Sequence, residues 1–200
     1  MKNRIRIGAT VAALLSLLIG GRASALADSP MAQIKRSNTR LNNLLRKKTI
    51  TKKIKKSVKR EVGGFLDFQE LARRSLGRHW AKRSAKEQSE FVRLLTDLIE
   101  ANYVKQLKGN LGYKLEYRKE KVSGDSAHVT TAVKVTKNGR TEEVVIEYKM
   151  KRKNGRWLVY DVITDDVSVV RNYRSQFNRI ISKKSYEHLV KKMRAKLQKI

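Results

Sequence analysis

His79, His128 and His188, together with Asp161, Asp165 and Asp166, are the side chains here best suited to acid–base or metal chemistry. Their spacing supports neither. The histidines are scattered, and the chain has no cysteine to complete a zinc set. His79 has Trp80 beside it but no nucleophile or orienting carboxylate in sequence reach, so packing is its expected role. The three aspartates could hold a cation; capping of a following helix by Asp165 or Asp166 is the plainer expectation. No glycine-rich phosphate loop and no G-x-S-x-G turn is present. The expectation is a protein that is not an enzyme, with no catalytic residue, no metal site and no cofactor.

Charge and address come next. The formal net charge is +29, which in a cytoplasmic protein points first to nucleic acid. The N-terminus argues against that compartment. Lys2, Arg4 and Arg6 precede an apolar run from Ile7 to Ile19, and Ala23-Ser24-Ala25-Leu26-Ala27 follows. That pattern predicts a secretory signal peptide over residues 1–27, cut before Asp28. The run of 13 residues is short of the roughly 20 that a spanning helix needs. The leader carries four of the positive charges and no acid, leaving +25 on residues 28–200. An exported basic protein meets anionic lipid head groups, which attract each nearby Lys or Arg by about 1 kcal/mol. Lipid, not nucleic acid, is therefore the expected partner.

Residues 28–200 have the length of a single domain, with one proline and no Ser/Gly-rich linker. Without cysteine, a packed core rather than disulfides must hold it. Asp28, Ser29 and Pro30 start a helix whose face carries Ile34, Leu41, Leu44 and Leu45. A second helix spaces Ile50, Ile54, Val58 and Val62 by four and is expected to break at Gly63-Gly64. Residues 30–60 hold twelve Lys or Arg and no acid, either a solvated face or a stripe that orients the protein on an anionic surface. Asp67 and Ser84 open two more helices as caps, with Glu70 and Glu87 three residues on. From Tyr113 the apolar period becomes two. Four strands follow, with turns at Asn138-Gly139 and Asn154-Gly155, and a helix is expected from about Val167 to Ser182, before a last one from Ser185. The order predicts an α+β fold: an antiparallel four-stranded meander covered by N-terminal and C-terminal helices.

Two segments carry a resemblance. Phe65-Leu66-Asp67-Phe68-Gln69-Glu70-Leu71-Ala72-Arg73-Arg74-Ser75-Leu76-Gly77-Arg78-His79-Trp80 is one. The other is Gly155-Arg156-Trp157-Leu158-Val159-Tyr160-Asp161-Val162, continuing at Val167-Ser168-Val169-Val170-Arg171-Asn172-Tyr173-Arg174-Ser175-Gln176-Phe177. Together they resemble the MlaC family, the toluene-tolerance auxiliary proteins of Gram-negative bacteria. The resemblance implies a soluble, monomeric periplasmic carrier that encloses a phospholipid by its tails between sheet and helices. It implies partners at both membranes, an outer-membrane lipoprotein–porin complex and an inner-membrane ABC transporter with an MCE-domain ring, and a role in outer-membrane lipid asymmetry. The chain departs from the family pattern at Asp166, where many members carry Gly, at the Lys183-Lys184-Ser185-Tyr186 entry to the last helix, and in the weight of its basic run.

A phospholipid's two tails hold roughly 30 methylenes, and exposing them costs on the order of 25 kcal/mol. A soluble carrier must enclose nearly all of that hydrocarbon. The expected lipid-binding wall residues are Leu71, Leu94, Leu98, Tyr103, Val133, Val144, Ile146, Tyr148, Val159, Val169, Tyr173 and Phe177. Arg171 and Arg174 are expected at a head-group rim, or in ordinary ion pairs. The alternative is a basic exported adaptor that binds anionic membrane surfaces without enclosing a lipid, and its binding would collapse in salt.

Overall fold

The computed structural model of this protein describes residues 29–46, 51–106, 114–137 and 140–199, with the backbone alone at residues 103–106 and 137. The expected signal peptide and the Asn138-Gly139 turn lie outside the described residues.

Helix α1 (Pro30–Leu45) starts as its sequence dictates. Ser29 accepts from Ala32 N at 3.1 Å, and Pro30 takes the first turn, where a missing N–H is harmless. Helix α2 (Lys52–Phe65) buries Ile54, Val58 and Val62. It does not break at Gly63-Gly64, as expected, but runs through both. Each glycine costs about 1 kcal/mol against alanine in a helix. Buried Val62 holds that last turn in the helix, and Arg156 Nη2 donates to Gly64 O at 2.9 Å.

Helix α3 (Phe68–Leu76) is capped by Asp67, which accepts from Glu70 N at 3.0 Å. A 3₁₀ turn (Gly77–Lys82) leads to α4 (Ala85–Gln106). There the expected capping box forms in both directions. Glu87 N donates to Ser84 Oγ at 3.3 Å, and Ser84 N donates to Glu87 Oε2 at 2.8 Å.

The sheet is antiparallel throughout, ordered β1 (Glu116–Ser123), β2 (Ser126–Lys137), β3 (Arg140–Lys153), β4 (Arg156–Thr164), β5 (Val167–Ser168). It has five strands rather than the expected four, and the extra one has a local cause. Asp165 and Asp166 both have positive φ, 47° and 63°, as do Asn154 and Gly155 at 49° and 74°. Two consecutive left-handed residues make the hairpin turn that matches strand twist. The aspartates therefore turn β4 back into β5 instead of capping a helix, and α5 (Val169–Lys183) begins at Val169 with Ser168 as its cap. Helix α6 (Tyr186–Leu197) closes the described chain behind Ser185.

Three apolar clusters form. Helices α3 to α6 pack around Leu76, Phe91, Leu95 and Leu189. Ile34 of α1 packs on Val129, Tyr148, Met150 and Val159 of the sheet. The α1–α2 pair shares a smaller core of Leu45, Ile54, Val58 and Val62.

Gly77 ends α3 at φ 57° and ψ −128°, a conformation open only to glycine. Alanine there would also put a Cβ 3.4 Å from Arg174 Cδ. Gly77→Ala is expected to lower stability by about 1–3 kcal/mol, read as a lower urea midpoint at unchanged slope.

Candidate functional site

The three clusters do not merge. Where they meet lies a cavity of about 510 Å³. Ile34 and Leu41 of α1 and Val62 and Phe65 of α2 wall one side. Ile146 and Tyr148 of β3 and Val162 of β4 wall another. Leu66, Leu71, Ile99, Leu115 and Val169 complete the apolar lining, and Ser37, Asn38, Asp161 and Thr164 are its polar members. Phe65 meets Tyr148 edge-on, with ring centroids 6.3 Å apart.

Strand β4 sets this geometry. A bulge shifts its register on β3, so that Asp161 opposes Lys149 while Val159 opposes Met150 and Tyr160 is left over. The extra residue puts Val162, opposite Tyr148, on the same face as Val159, opposite Met150, and Val162 and Asp161 both line the cavity. Asp161 is buried, and its carboxylate is fully engaged. Oδ1 accepts from Val170 N at 3.0 Å and Oδ2 from Ser168 Oγ at 2.7 Å, while Ser168 Oγ accepts from Arg171 N at 3.0 Å. The negative charge thus sits on the N-terminus of α5, where the helix dipole favours it, and Val169 is held against the cavity.

Asp67 anchors the other side of β4. Its N–H donates to Val159 O at 2.7 Å, Oδ1 caps α3, and Oδ2 lies 2.7 Å from Lys153 Nζ as an ion pair off the hydrogen-bond axis. Glu70 does not close the expected capping box. Instead it takes both arms of Arg73 at 2.8 Å and Arg74 Nε at 2.7 Å. Arg74 in turn lies over the Tyr160 ring, 4.3 Å from its centroid. The Arg73 hydrogen bonds, with Arg74 behind them, outweigh burial and hold the Glu70 carboxyl at about 2 against an ordinary 4.5.

Of the sequence-predicted wall residues, Leu71, Ile146, Tyr148 and Val169 lie on this cavity. Leu98, Tyr173 and Phe177 instead line a groove among α4, α5 and α6, and Leu94 is packed within the helical core. Val159 is fully buried in the sheet-side core; Val133 is buried, and Val144, its partner across β2–β3, is half-buried. The Tyr103 side chain lies outside the described residues. Arg171 Nη2 donates to Asp166 O at 2.7 Å and Arg174 Nε to Arg74 O at 2.8 Å. Both arginines border a separate cleft with Arg78 and His79, not the apolar cavity. Sequence reasoning put Ile34, Leu41 and Val62 on apolar helix faces without assigning them to the wall, and it missed Phe65 and Val162. The available signal was the seven-residue step from Ile34 to Leu41 beside the Val62–Phe65 pair.

Among the described residues no group of three or more acids and histidines is placed to hold a metal, and no helix is long and apolar enough to cross a membrane. The family model for the MlaC protein matches residues 35–195. The chain belongs to the MlaC family. The intermembrane phospholipid transport system binding protein MlaC of Haemophilus influenzae is 22% identical over 138 residues, covering 68% of this chain. The chain spans 64% of the length of that curated relative. The phospholipid-binding protein of Ralstonia solanacearum, solved in complex with a phospholipid, superposes with a TM-score of 0.67 at 18% identity. That match covers 85% of this chain and 99% of the other, a likeness of fold. MlaC-family membership thus agrees with the resemblance carried by the two sequence segments.

Two outcomes follow for the helices around the cavity. Asp161→Ala strips a buried backbone N–H and a buried hydroxyl of their acceptor and is expected to cost about 2–4 kcal/mol in urea unfolding. Because the Glu70 carboxyl is depressed in the folded state, its contribution is complete above about pH 4.5 and is lost as pH falls towards 2. Up to about 3 kcal/mol of stability is at stake. Glu70→Gln should flatten the acid limb of stability over that window, measured by urea midpoints at stepped pH.

Proposed function

We propose that this protein is a soluble periplasmic phospholipid carrier, holding the lipid by its tails in the cavity between α1–α2 and the sheet. The observation that carries this reading is the cavity itself, about 510 Å³ with twelve of its sixteen lining residues apolar, in a chain of the MlaC family. Interiors are otherwise packed with few voids larger than a water. Leaving so much apolar lining to water is unfavourable; an occupant rich in hydrocarbon covers it, and this volume falls within the range of ligand pockets.

The named relatives support a phospholipid as the occupant. In this reading residues 1–27 are the export signal and residues 28–200 the carrier, working as a monomer. It moves lipid between the outer and inner membranes, receiving and delivering at a lipoprotein–porin complex and an MCE-domain ABC transporter, and so maintains outer-membrane lipid asymmetry. The carrier itself hydrolyses nothing, so direction comes from those partners.

Native mass spectrometry of the protein, purified in high salt without detergent, tests the reading. About one phospholipid per chain is expected, since apolar burial is insensitive to salt. Ile146→Trp fills the cavity wall and should abolish that mass while leaving the circular dichroism spectrum intact. Val144→Trp, at a half-buried position off the cavity lining, should keep it. A lipid-free parent that stays lipid-free after incubation with vesicles would sink the proposal.

A further inference from the structure

Helix α2 has two faces with different tasks. Ile54, Val58 and Val62 point inward, and Val62 and Phe65 wall the cavity. On the outer side stand Lys52, Lys53, Lys56 and Arg60, with Lys55 at the flank, all exposed. At 100° per residue the first four share an arc of about 100° opposite the apolar stripe, and Lys55 lies beside Val62. None has an ion-pair partner among the described residues. Two ion pairs of α1 and α2 use other cations, Arg40 with Glu61 at 3.5 Å and Lys59 with Glu100 at 3.3 Å. Unpaired exposed cations also stand elsewhere, Lys183, Lys184, Lys191 and Lys192 among them, but on α2 five fall within nine residues, while Arg73, Arg83, Arg93, Arg118 and Arg194 are each matched by a carboxylate.

Concentrating unmatched like charge on one helix is unfavourable for the isolated protein, since the lysines repel one another. An extended anionic plane relieves that repulsion for all five at once. A single small anion cannot, because the cations are spread along more than two helical turns. We infer that the outer face of α2 docks this protein on an anionic bilayer surface, with the helical wall of the cavity against the membrane. The inference rests on the carrier reading only for its consequence, that docking brings the cavity's α1–α2 side to the place where lipid is exchanged. The docking contact itself is electrostatic and independent of cargo.

The test is co-sedimentation of the protein, as secreted, with vesicles. One set is pure phosphatidylcholine and the other contains about a third phosphatidylglycerol, each at 50 and 500 mM salt. Each lysine near an anionic surface contributes about fivefold in binding. The variant Lys52→Gln/Lys53→Gln/Lys55→Gln/Lys56→Gln should therefore bind anionic vesicles on the order of 600-fold more weakly than its parent. The parent should prefer anionic to neutral vesicles and lose that preference at high salt, because exposed charges are screened. Equal binding to both vesicle types, or a quadruple variant within about threefold of its parent, overturns the docking inference. So does capture of the parent by an acidic polypeptide in place of anionic vesicles. Copurified lipid, measured on the same two proteins, separates the readings. Retention of lipid by a variant that no longer docks supports docking and cargo binding as distinct functions. Salt-sensitive docking by a parent that never carries lipid leaves the α2 surface standing and removes the carrier.

Discussion

Two buried aspartates fasten helices to one strand, and the shape of the molecule depends on them. Asp161, on β4, spends both carboxylate oxygens on the start of α5. Asp67 takes a carbonyl of the same strand through its backbone N–H and caps α3 with its side chain. A buried carboxylate is tolerated when its lone pairs are met by donors, and here each aspartate takes one N–H group that a helix start leaves without a partner, Val170 N for Asp161 and Glu70 N for Asp67. The same bonds that satisfy the charge thus fix where two helices leave the sheet. Helices α3 and α5 are held against β4, and their packing on α4 and α6 fills the larger core.

The α1–α2 pair is fastened differently. Its small core is shared between the two helices, and its ties to the sheet are few. Ile34 packs over β2 and β3, and Met31 N donates to Glu120 on β1 at 2.5 Å. A pair that folds onto itself leaves room between itself and the sheet. The cavity is that room, bounded by one set of helices pinned to β4 and another that closes over from the side. Its apolar lining follows from the amphipathic faces of both sets, and the bulge at Tyr160 turns Val162 into the same space.

Much of this was legible in the sequence, because local chemistry decides it. Capping by Ser29, Asp67, Ser84 and Ser185, the left-handed Asn154-Gly155 turn and the period of two read from Tyr113, which the structure carries as a strand from Glu116, all follow from side chains a few residues apart. The misses came from tertiary contacts. Nothing near Gly63-Gly64 reveals that burial of Val62 carries the helix through. Asp165 and Asp166 read as helix caps, and the hairpin turn they make instead goes with Ser168 and Asp161, which take the start of α5. The bulge explains the errors at the site. Alternation along β4 put Val159, Asp161 and Ile163 on one face; the extra residue brings Val162 to the face of Val159, where Val162 lines the cavity and Val159 is buried in the sheet-side core. Leu98 and Ile99 sit side by side on α4, and only the packing of α5 and α6 decides that Ile99 meets the cavity while Leu98 lines the outer groove. Arg171 and Arg174 border a different cleft, where they donate to Asp166 O and Arg74 O.

The meeting of three clusters around one apolar space makes the cargo, in the proposed function, a part of the core. Whatever binds only the folded state stabilises it in proportion to the logarithm of its concentration over its dissociation constant. A loaded chain is then a more stable protein than an unloaded one, and each delivery moves it down a thermodynamic step. The acceptor must offer the lipid a deeper well than this cavity does, or the tails will not leave. Loading acts in the opposite sense, as the last act of folding. The life of such a chain alternates between a completed globule and one with an internal surface still to cover, and susceptibility to unfolding would rise and fall with traffic.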